Sequence, residues 1–341
     1  ADQDPRRVEN DLESTVLVYK TGERDALVES AKDVLEAARE CGDDALLAKA
    51  WRKRALAHQR SGERAGEGEC FRRALELARQ TDDDRLKVHI LVDVGWYEHD
   101  SGNLDAAESY FEQCRHRAAE IGHRFFEIQG LRGLGRVAIS RGDRGRARRI
   151  LERVVDQARQ EGFRAAAATG MNELGDLARF ERDLDCARRR FEQHRDVKAQ
   201  IGETEAVAVS LINLAQVEAA DGDFERARAY LERLEEEFGA HWIDRFERIV
   251  GLVRVVMLAG EGRLEEYDAV YARYVTDWSR EGNLLKDHAW LLETAGGFLV
   301  EAGEAERARR AWRVARATWE RLGDGRSVEE LAERIDALQR P

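Results

Sequence analysis

Apolar residues recur at helical spacing through nearly the whole chain, in blocks that are separated by glycines. The glycines form two interleaved series, each with a period of 40 residues, apart from one slip of a single residue. The first series is Gly22, Gly62, Gly102, Gly142, Gly222, Gly262 and Gly303, with Arg182 in the empty slot. The second series is Gly42, Gly122, Gly162, Gly202 and Gly282. Because glycine ends helices in the left-handed conformation, the pattern predicts hairpins of antiparallel helices, each about 17 residues long.

Asn or Asp follows several of these glycines and can cap the next helix, as in Gly102–Asn103, Gly142–Asp143 and Gly222–Asp223. Small residues also recur seven places before the first-series turn, namely Ala55, Gly95, Gly135, Gly175, Ala215 and Gly296. Alanine recurs five places after it, at Ala107, Ala147, Ala187, Ala227 and Ala308. A bulky residue follows at the ninth place, namely Phe71, Phe111, Leu151, Phe191, Leu231, Tyr271 and Trp312. This register predicts that the two helices of each hairpin approach closely and that the bulky side chain fills the groove between them.

These features together resemble the tetratricopeptide repeat (TPR) family, whose repeats have a small residue late in helix A and an alanine early in helix B. The pairs Leu134–Gly135 and Leu174–Gly175, and the longer period, resemble the TPRs of kinesin light chains, Pins-type scaffolds and bacterial signalling regulators. The usual TPR repeat has ~34 residues and a proline at its end, where this chain has glycine. The resemblance implies an all-α fold, a right-handed α-solenoid (TPR superhelix) of eight helix-turn-helix repeats and a C-terminal capping helix.

The predicted array covers residues 1–325, and the capping helix covers residues 326–341. The eight repeats are placed at about 6–42, 43–82, 83–122, 123–162, 163–202, 203–241, 242–282 and 283–323. In the first repeat, helix A is expected after Asp4–Pro5, up to about Lys20. Ser327 and Glu330 predict a capping box at the start of the final helix, which is expected to end the array with a polar outer face.

One repeat, 242–282, departs from the pattern. Val255 and Tyr267 are bulky where small residues are expected, which predicts a wider helix spacing or a bend. The aromatic residues that follow at helical spacing are interpreted as core packing and not as a ligand site; they are Tyr267, Tyr271, Tyr274 and Trp278.

Composition and charge exclude several classes of function. The net charge of −12 argues against a general binder of nucleic acid or of acidic membranes. No signal peptide and no apolar run long enough to span a membrane is found, and the four cysteines form no CxxC pair. Helix-borne thiols without a disulfide pattern predict a reducing compartment, and hence the cytoplasm. The excess of arginine over lysine fits a bacterial coding sequence of high GC content.

No motif predicts catalysis, a cofactor or a metal. HExxH, GxSxG and P-loop patterns are missing from the sequence. Gly130, Gly133 and Gly135 lie inside a helix with no strand before them, so close packing explains them better than a nucleotide site. Cys114 and His116 point to different helix faces, and no two histidines stand four apart on one helix. The chain is therefore predicted to be a non-enzyme without cofactors.

The informative surface is one face of the A helices. In TPR relatives, the residues 13, 10, 6 and 3 places before the turn line a concave groove, and this spacing defines one helix face. The resemblance implies a peptide-binding groove in this chain, with the lining residues Lys49, Arg52, His89, Trp96, His99, Arg132, Arg136, Asn172, Arg179, Asn213, Ile212, Ile249, Leu252 and Val256. Asn172 and Asn213 would hold an extended peptide backbone, since an amide both donates and accepts hydrogen bonds.

Two properties of this face leave alternatives open. Its cations, Lys49, Arg52, Arg132, Arg136 and Arg179, outnumber the single acid Asp176, which is either solvated surface or a groove for an acidic peptide with Trp96 as an apolar anchor. Residues 249–258 are apolar almost all round, which indicates either a helix covered by its neighbours or the floor of a groove for an amphipathic segment.

The sequence therefore predicts a non-catalytic scaffold or interaction module that binds a protein or peptide, of acidic or amphipathic character, in its groove. The resemblance to signalling regulators implies the regulatory part of a bacterial signalling protein. The alternative is a domain that senses a ligand or peptide pheromone and changes its superhelical shape. A stable protein partner in a pull-down would favour the first function, and a thermal shift with a small ligand the second.

Overall fold

The computed structural model describes residues 24–61, 64–276 and 286–338, and this part of the chain is helical. The helices of the first half are α1 (Arg24–Cys41), α2 (Asp44–Ser61), α3 (Arg64–Gln80), α4 (Asp84–Asp100), α5 (Leu104–Glu120), α6 (Arg124–Ser140), α7 (Arg144–Gln160) and α8 (Arg164–Phe180). The others are α9 (Leu184–Gln200), α10 (Thr204–Asp221), α11 (Phe224–Phe238), α12 (Ala240–Gly260), α13 (Leu264–Tyr271), a π-helix (Ala272–Thr276), α14 (Lys286–Glu301), α15 (Ala305–Leu322) and α16 (Gly325–Ala337).

Consecutive helices pack as antiparallel pairs, and the predicted fold class, an all-α helical-repeat solenoid, is confirmed for the described residues. We call the first helix of each pair the A helix (α2, α4, α6, α8, α10, α12, α14) and the second the B helix. The predicted helix A near Asp4–Pro5 lies outside the described residues. The division into eight repeats stays a prediction. By its contacts the chain separates into two compact units, the N-terminal unit Ala1–Ala166 and the C-terminal unit Ala167–Pro341.

The turns follow the glycine series. Gly102, Gly142, Gly222, Gly262 and Gly303 all have positive φ, as do the second-series glycines from Gly42 to Gly202. Gly22, Gly62 and Gly282 lie outside the described residues. Arg182, in the slot without glycine, adopts the same left-handed conformation with φ 63°. Since a Cβ makes this conformation costly, about 1 kcal/mol, the arginine is retained there at the expense of backbone strain.

Aspartates cap the A-to-B turns as predicted at two sites: the side chains of Asp143 and Asp223 accept hydrogen bonds from the backbone three residues later. Asn103 is the exception. It occupies the N-cap position, but its side chain donates to Glu98 at 2.7 Å instead of capping α5. The prediction that the Asn103 side chain caps α5 is therefore wrong, and its amide is bound to the carboxylate of Glu98 on the preceding helix instead.

The small and bulky positions meet inside each hairpin. A Cβ added to Gly95 would lie 2.6 Å from the ring of Phe111, and one added to Gly296 would lie 2.1 Å from the indole of Trp312. The glycines of α6 have the same role: a Cβ at Gly133 would lie 2.3 Å from the Phe111 ring, and one at Gly135 would lie 2.8 Å from Leu151. The interpretation of the Gly130–Gly135 cluster as close packing is confirmed.

Ion pairs join successive repeats at a fixed register. The residue six places after the first-series turn pairs with the next repeat in four cases: Glu108 with Arg146 at 2.6 Å, Arg188 with Glu218 at 2.8 Å, Arg228 with Glu261 at 2.6 Å, and Asp268 with Arg307 at 2.7 Å. The residue at this position is an acid in two repeats and an arginine in the other two, and its partner in the next repeat always has the opposite charge. Such pairing disfavours a slip of one repeat against the next.

In the C-terminal unit, the cap of the last helix differs from the prediction, and one repeat contains a π-helix. The last helix begins at Gly325, and its N-cap is Asp324, which accepts from the backbone nitrogen of Ser327. The predicted capping box with Ser327 as N-cap is wrong, because Asp324 directly follows the left-handed Gly323 that ends α15. In repeat 242–282, α13 changes into a π-helix after Tyr271, and a cleft of about 420 Å³ lies between α11, α12 and α13.

The prediction that the aromatic residues of this repeat pack in the core is confirmed for three of them. Tyr267, Tyr271 and Tyr274 are buried, and burial raises the pKa of Tyr271 to about 12. Trp278 lies outside the described residues.

Candidate functional site

The A helices of the N-terminal unit carry the predicted cations on a shared face. Lys49 and Arg52 lie on α2, and Arg52 donates a short hydrogen bond to Asp93 on α4. Asp93 is only 17% exposed, and its burial raises the pKa of its carboxyl, while the charge of Arg52 opposes that rise. Lys53, beside Arg52, has its pKa lowered to about 8, first by burial and then by Arg52. Neither Asp93 nor Lys53 was identified from the sequence, since both stand one place off the groove register.

Trp96 lies at the centre of this face. The guanidinium carbon of Arg132, on α6, lies 4.7 Å from the Trp96 ring centroid, within the range of a cation–π contact. The indole also packs edge-on against Phe111, with ring centroids 5.0 Å apart. Phe111 is fully buried and is itself held by Gly95 and Gly133, so the packing of the hairpin core fixes the position of Trp96.

Arg136 lies one turn after Arg132 on α6 and is half-buried. The structure records no ion pair for it with any described residue. Of the two histidines predicted for the groove, His89 adds no charge. Burial, helped by Arg52 and Lys53, lowers the pKa of His89 to about 3, and its ring packs on Phe126 at 4.8 Å.

His99 contacts polar neighbours through both ring nitrogens, Ser140 Oγ at 2.9 Å and Asp100 Oδ1 at 3.0 Å. The face of the N-terminal unit carries Lys49, Arg52, Lys53, Arg132 and Arg136 against Asp93. We call this set, together with Trp96, the basic face.

The corresponding face of the C-terminal unit is a chain of side-chain hydrogen bonds. Asn213 on α10 donates to Asn172 Oδ1 on α8 at 3.1 Å, and Gln216 donates to Asn213 Oδ1 at 3.3 Å. Arg179 then donates to Gln216 Oε1. The two asparagines predicted to hold a peptide backbone are thus brought together, but their amides bind each other.

Arg179 is not an open cation. Its side chain has no exposed surface, and its Nη2 donates to Asp287 at 2.6 Å and to Asp176 at 3.1 Å. The guanidinium lies 5.1 Å from the ring centroids of both Phe180 and Trp290. The expectation that Arg179 presents a free charge in the groove is therefore wrong for this structure, because acids of its own chain already surround it.

The predicted apolar lining is also covered. Leu252 and Val256 of α12 have no exposed surface, and Ile212 of α10 is 3% exposed. They belong to one hydrophobic core that includes Trp290 and Leu292 of α14, and the partly buried Ile249 packs against it. Of the two interpretations of residues 249–258, the helix covered by its neighbours is the correct one.

Within the described ranges, no group of three or more potential metal ligands lies together. Cys114, the most buried thiol, has its pKa raised to about 12 by burial, so it is no activated nucleophile. None of the helices in these ranges combines the length and apolar character needed to cross a membrane. The basic face can attract anionic groups and hold an apolar side chain beside Trp96; this is recognition chemistry.

Comparison with known proteins supports the fold. No family model and no curated protein matches this sequence. Among solved structures, the apo form of RapI aligns over 93% of this chain and 96% of its own, with TM-score 0.64 and 11% identity. A Rap protein complexed with competence and sporulation factor covers 98% of both chains, with TM-score 0.58 and 12% identity.

Aspartyl phosphate phosphatase F from Bacillus subtilis aligns over 92% of this chain and 76% of its own, with TM-score 0.54 and 10% identity. At these identities the similarity establishes the fold: this chain has the helical-repeat architecture of TPR-type proteins.

Proposed function

We propose that this protein is a non-catalytic interaction module whose basic face binds an acidic segment of a partner protein. The observation that carries the proposal is the excess of cations around a packed tryptophan in a chain whose net charge is −12. An overall negative protein repels acidic partners except where its positive charge is concentrated, so the basic face is the surface that such a partner can approach.

Each part of the basic face supplies a different contribution. The guanidinium of Arg132 lies over the Trp96 ring at 4.7 Å, and its N–H groups are donors for which a carboxylate of the partner would compete. Arg136 provides a second cation one helical turn away. Trp96 offers an apolar surface to a neighbouring side chain of the partner, as buried aromatic anchors do in many interfaces.

A labelled acidic peptide containing Glu, Asp and Leu, and its counterpart with Lys in place of the acids, test this proposal. Fluorescence anisotropy should detect binding of the acidic peptide only, weakening as salt is raised. The double variant Arg132→Glu, Arg136→Glu should weaken binding at least about 100-fold and reduce its dependence on salt. The matched control is Arg149→Glu, Arg153→Glu on α7, where both arginines are exposed. Equal affinity for the two peptides, or equal loss in both variants, would contradict the proposal.

A second function, sensing of a peptide or small ligand as the regulatory part of a bacterial signalling protein, is favoured by one finding. A structure of the same fold over the whole chain was solved with competence and sporulation factor bound. If this chain is such a sensor, a thermal shift screen should find a ligand that raises its melting temperature. The free cysteines support placing either function in a reducing, cytoplasmic compartment.

A further inference from the structure

Two helices of the C-terminal unit contact each other although they are far apart in the chain. Arg179 at the end of α8 pairs with Asp287 at the start of α14, 108 residues later. Arg182, in the turn after α8, pairs with Glu293 on α14, 111 residues later. Between them lie the A helices α10 and α12, which pack into the same core as α14. The contact therefore joins the first and the last A helix of this unit.

The contact is built from both charged and apolar groups. The fully buried Arg179 guanidinium lies over Trp290 at 5.1 Å, and Phe180 meets Trp319 of α15 edge-on at 6.1 Å. Glu293, whose side chain is 8% exposed, also accepts from Arg334 of α16 at 3.1 Å. The two ion pairs, Arg179–Asp287 and Arg182–Glu293, lie on either side of the Trp290 contact in the sequence of α14. Together they fix how α8 and α14 meet, and both acids of α14 are engaged.

Arg182 is unusual because it places a long side chain in a turn whose backbone conformation favours glycine. In the described residues every other turn of the first series has glycine, which adopts positive φ without strain. Arginine in that conformation costs stability locally, and its side chain leaves the turn to reach Glu293. The ion pair with Glu293 forms only when α8 and α14 are together, so Arg182 connects the strained turn to this contact.

We propose that Asp287 and Glu293 form an internal latch, which occupies Arg179 and Arg182 in place of an acidic partner and keeps this face closed. When the latch opens, Arg179, Arg182 and Trp290 become available as a second basic face with the same chemistry as the face around Trp96. The acidic class of the occupant rests on the proposed function, whereas the latch itself depends only on the contacts of the C-terminal unit. In the wild-type chain the two internal carboxylates exclude an acidic segment from this face, which takes such a segment only once the latch is open.

Hydrogen exchange of the 341-residue chain without any peptide tests the latch. Asp287→Asn and Arg182→Gly should each speed exchange of residues 286–293 and of the end of α8 by about tenfold. Arg182→Gly is the sharper variant, because it relieves the strained turn and so should not lower the melting temperature. Two variants serve as matched controls. Asp176→Asn removes the carboxylate that pairs with Arg179 from within α8, and Arg334→Gln removes the other partner of Glu293.

Both controls should change exchange of these segments less than about twofold. Unchanged exchange in Arg182→Gly, or an effect of Asp176→Asn as large as that of Asp287→Asn, would overturn the latch. This readout needs no ligand, so failure of the acidic peptide to bind the wild-type chain would count against the proposed function alone.

The occupant is tested with the same labelled acidic peptide on the variant Asp287→Asn, Glu293→Gln, which keeps both arginines. This variant should gain a binding site that Arg132→Glu, Arg136→Glu does not remove and that Arg179→Glu, Arg182→Glu does. Faster exchange without any gain in peptide binding would show that the opened face does not take acidic segments, and would overturn that part of the proposal.

Discussion

The A-helix face of each unit carries an arginine over a tryptophan, but the two arginines differ in burial. In the N-terminal unit, Arg132 lies on Trp96, and one acid, Asp93, faces several cations. In the C-terminal unit, Arg179 lies on Trp290 in a similar stack, but Asp176 and Asp287 both bind it and no surface is left exposed. Arg179 is fully buried among acids of its own chain, whereas Arg132 is partly exposed, so Arg132 is the one of these two stacked arginines that a partner can reach.

The largest expected effect is on the pair between the fully buried Arg179 and Asp287, whose own side chain is 39% exposed. Asp287→Lys would place a second cation against Arg179 and should cost about 2–3 kcal/mol of unfolding free energy, less than for a pair buried on both sides. Urea unfolding followed by circular dichroism measures this. The control is Asp185→Lys, whose acid pairs with Arg188 but is 80% exposed, and which should cost less than about 1 kcal/mol. Similar costs for the two variants would show that the Asp287 pair is not protected from solvent.

Acid should destabilise both units through buried histidines. Burial lowers the pKa of His89 to about 3 and that of His194 and His288 to about 4, while in the unfolded chain these groups titrate near 6.5. Because the unfolded state binds the protons first, stability is complete above pH ~6.5 and is lost as pH falls towards the folded pKa, at up to about 1.4 kcal/mol per pH unit for each histidine.

His194→Gln sharpens this point, since His194 contacts Ser210 Oγ at 2.7 Å and glutamine can replace that hydrogen bond. The variant should reduce the pH slope of the unfolding free energy between pH 6 and 4.5 by the share of one histidine, about 1.4 kcal/mol per unit. An unchanged slope would mean that His194 is already accessible to protons in the folded chain.

The fold was largely predictable, because the glycine period fixes where helices end and the small and bulky positions fix how they pair. The candidate site was predictable only in part. The groove register located Trp96, Arg132 and Arg136, but it passed over Lys53 and Asp93, which stand one place away. It could not reveal the partners of Arg179, since a contact across 108 residues depends on how the helices of the C-terminal unit stack and not on any local pattern. The sequence pattern shows only that Arg182 stands where the series has glycine, and no local pattern predicts its contact with Glu293.

A smaller effect concerns the packing beneath the basic face. Gly133→Ala would push a methyl group to 2.3 Å from Phe111, the ring that supports Trp96, and should cost about 1–3 kcal/mol of stability. It should also weaken binding of the acidic peptide by displacing Trp96. Gly145→Ala in α7, where a Cβ would meet nothing closer than 3.7 Å, is the control and should stabilise the chain by about 0.5–1 kcal/mol. A neutral Gly133→Ala would show that Phe111 has room to move.

The most direct test of the difference between the two faces is hydrogen exchange of the wild-type chain with and without saturating acidic peptide. The account predicts slower exchange in α4 and α6, around Trp96 and Arg132, and no protection beyond the unliganded level in α8, α10 and α14. Protection confined to α8 and α14, or no protection in any helix although the peptide binds, would contradict it.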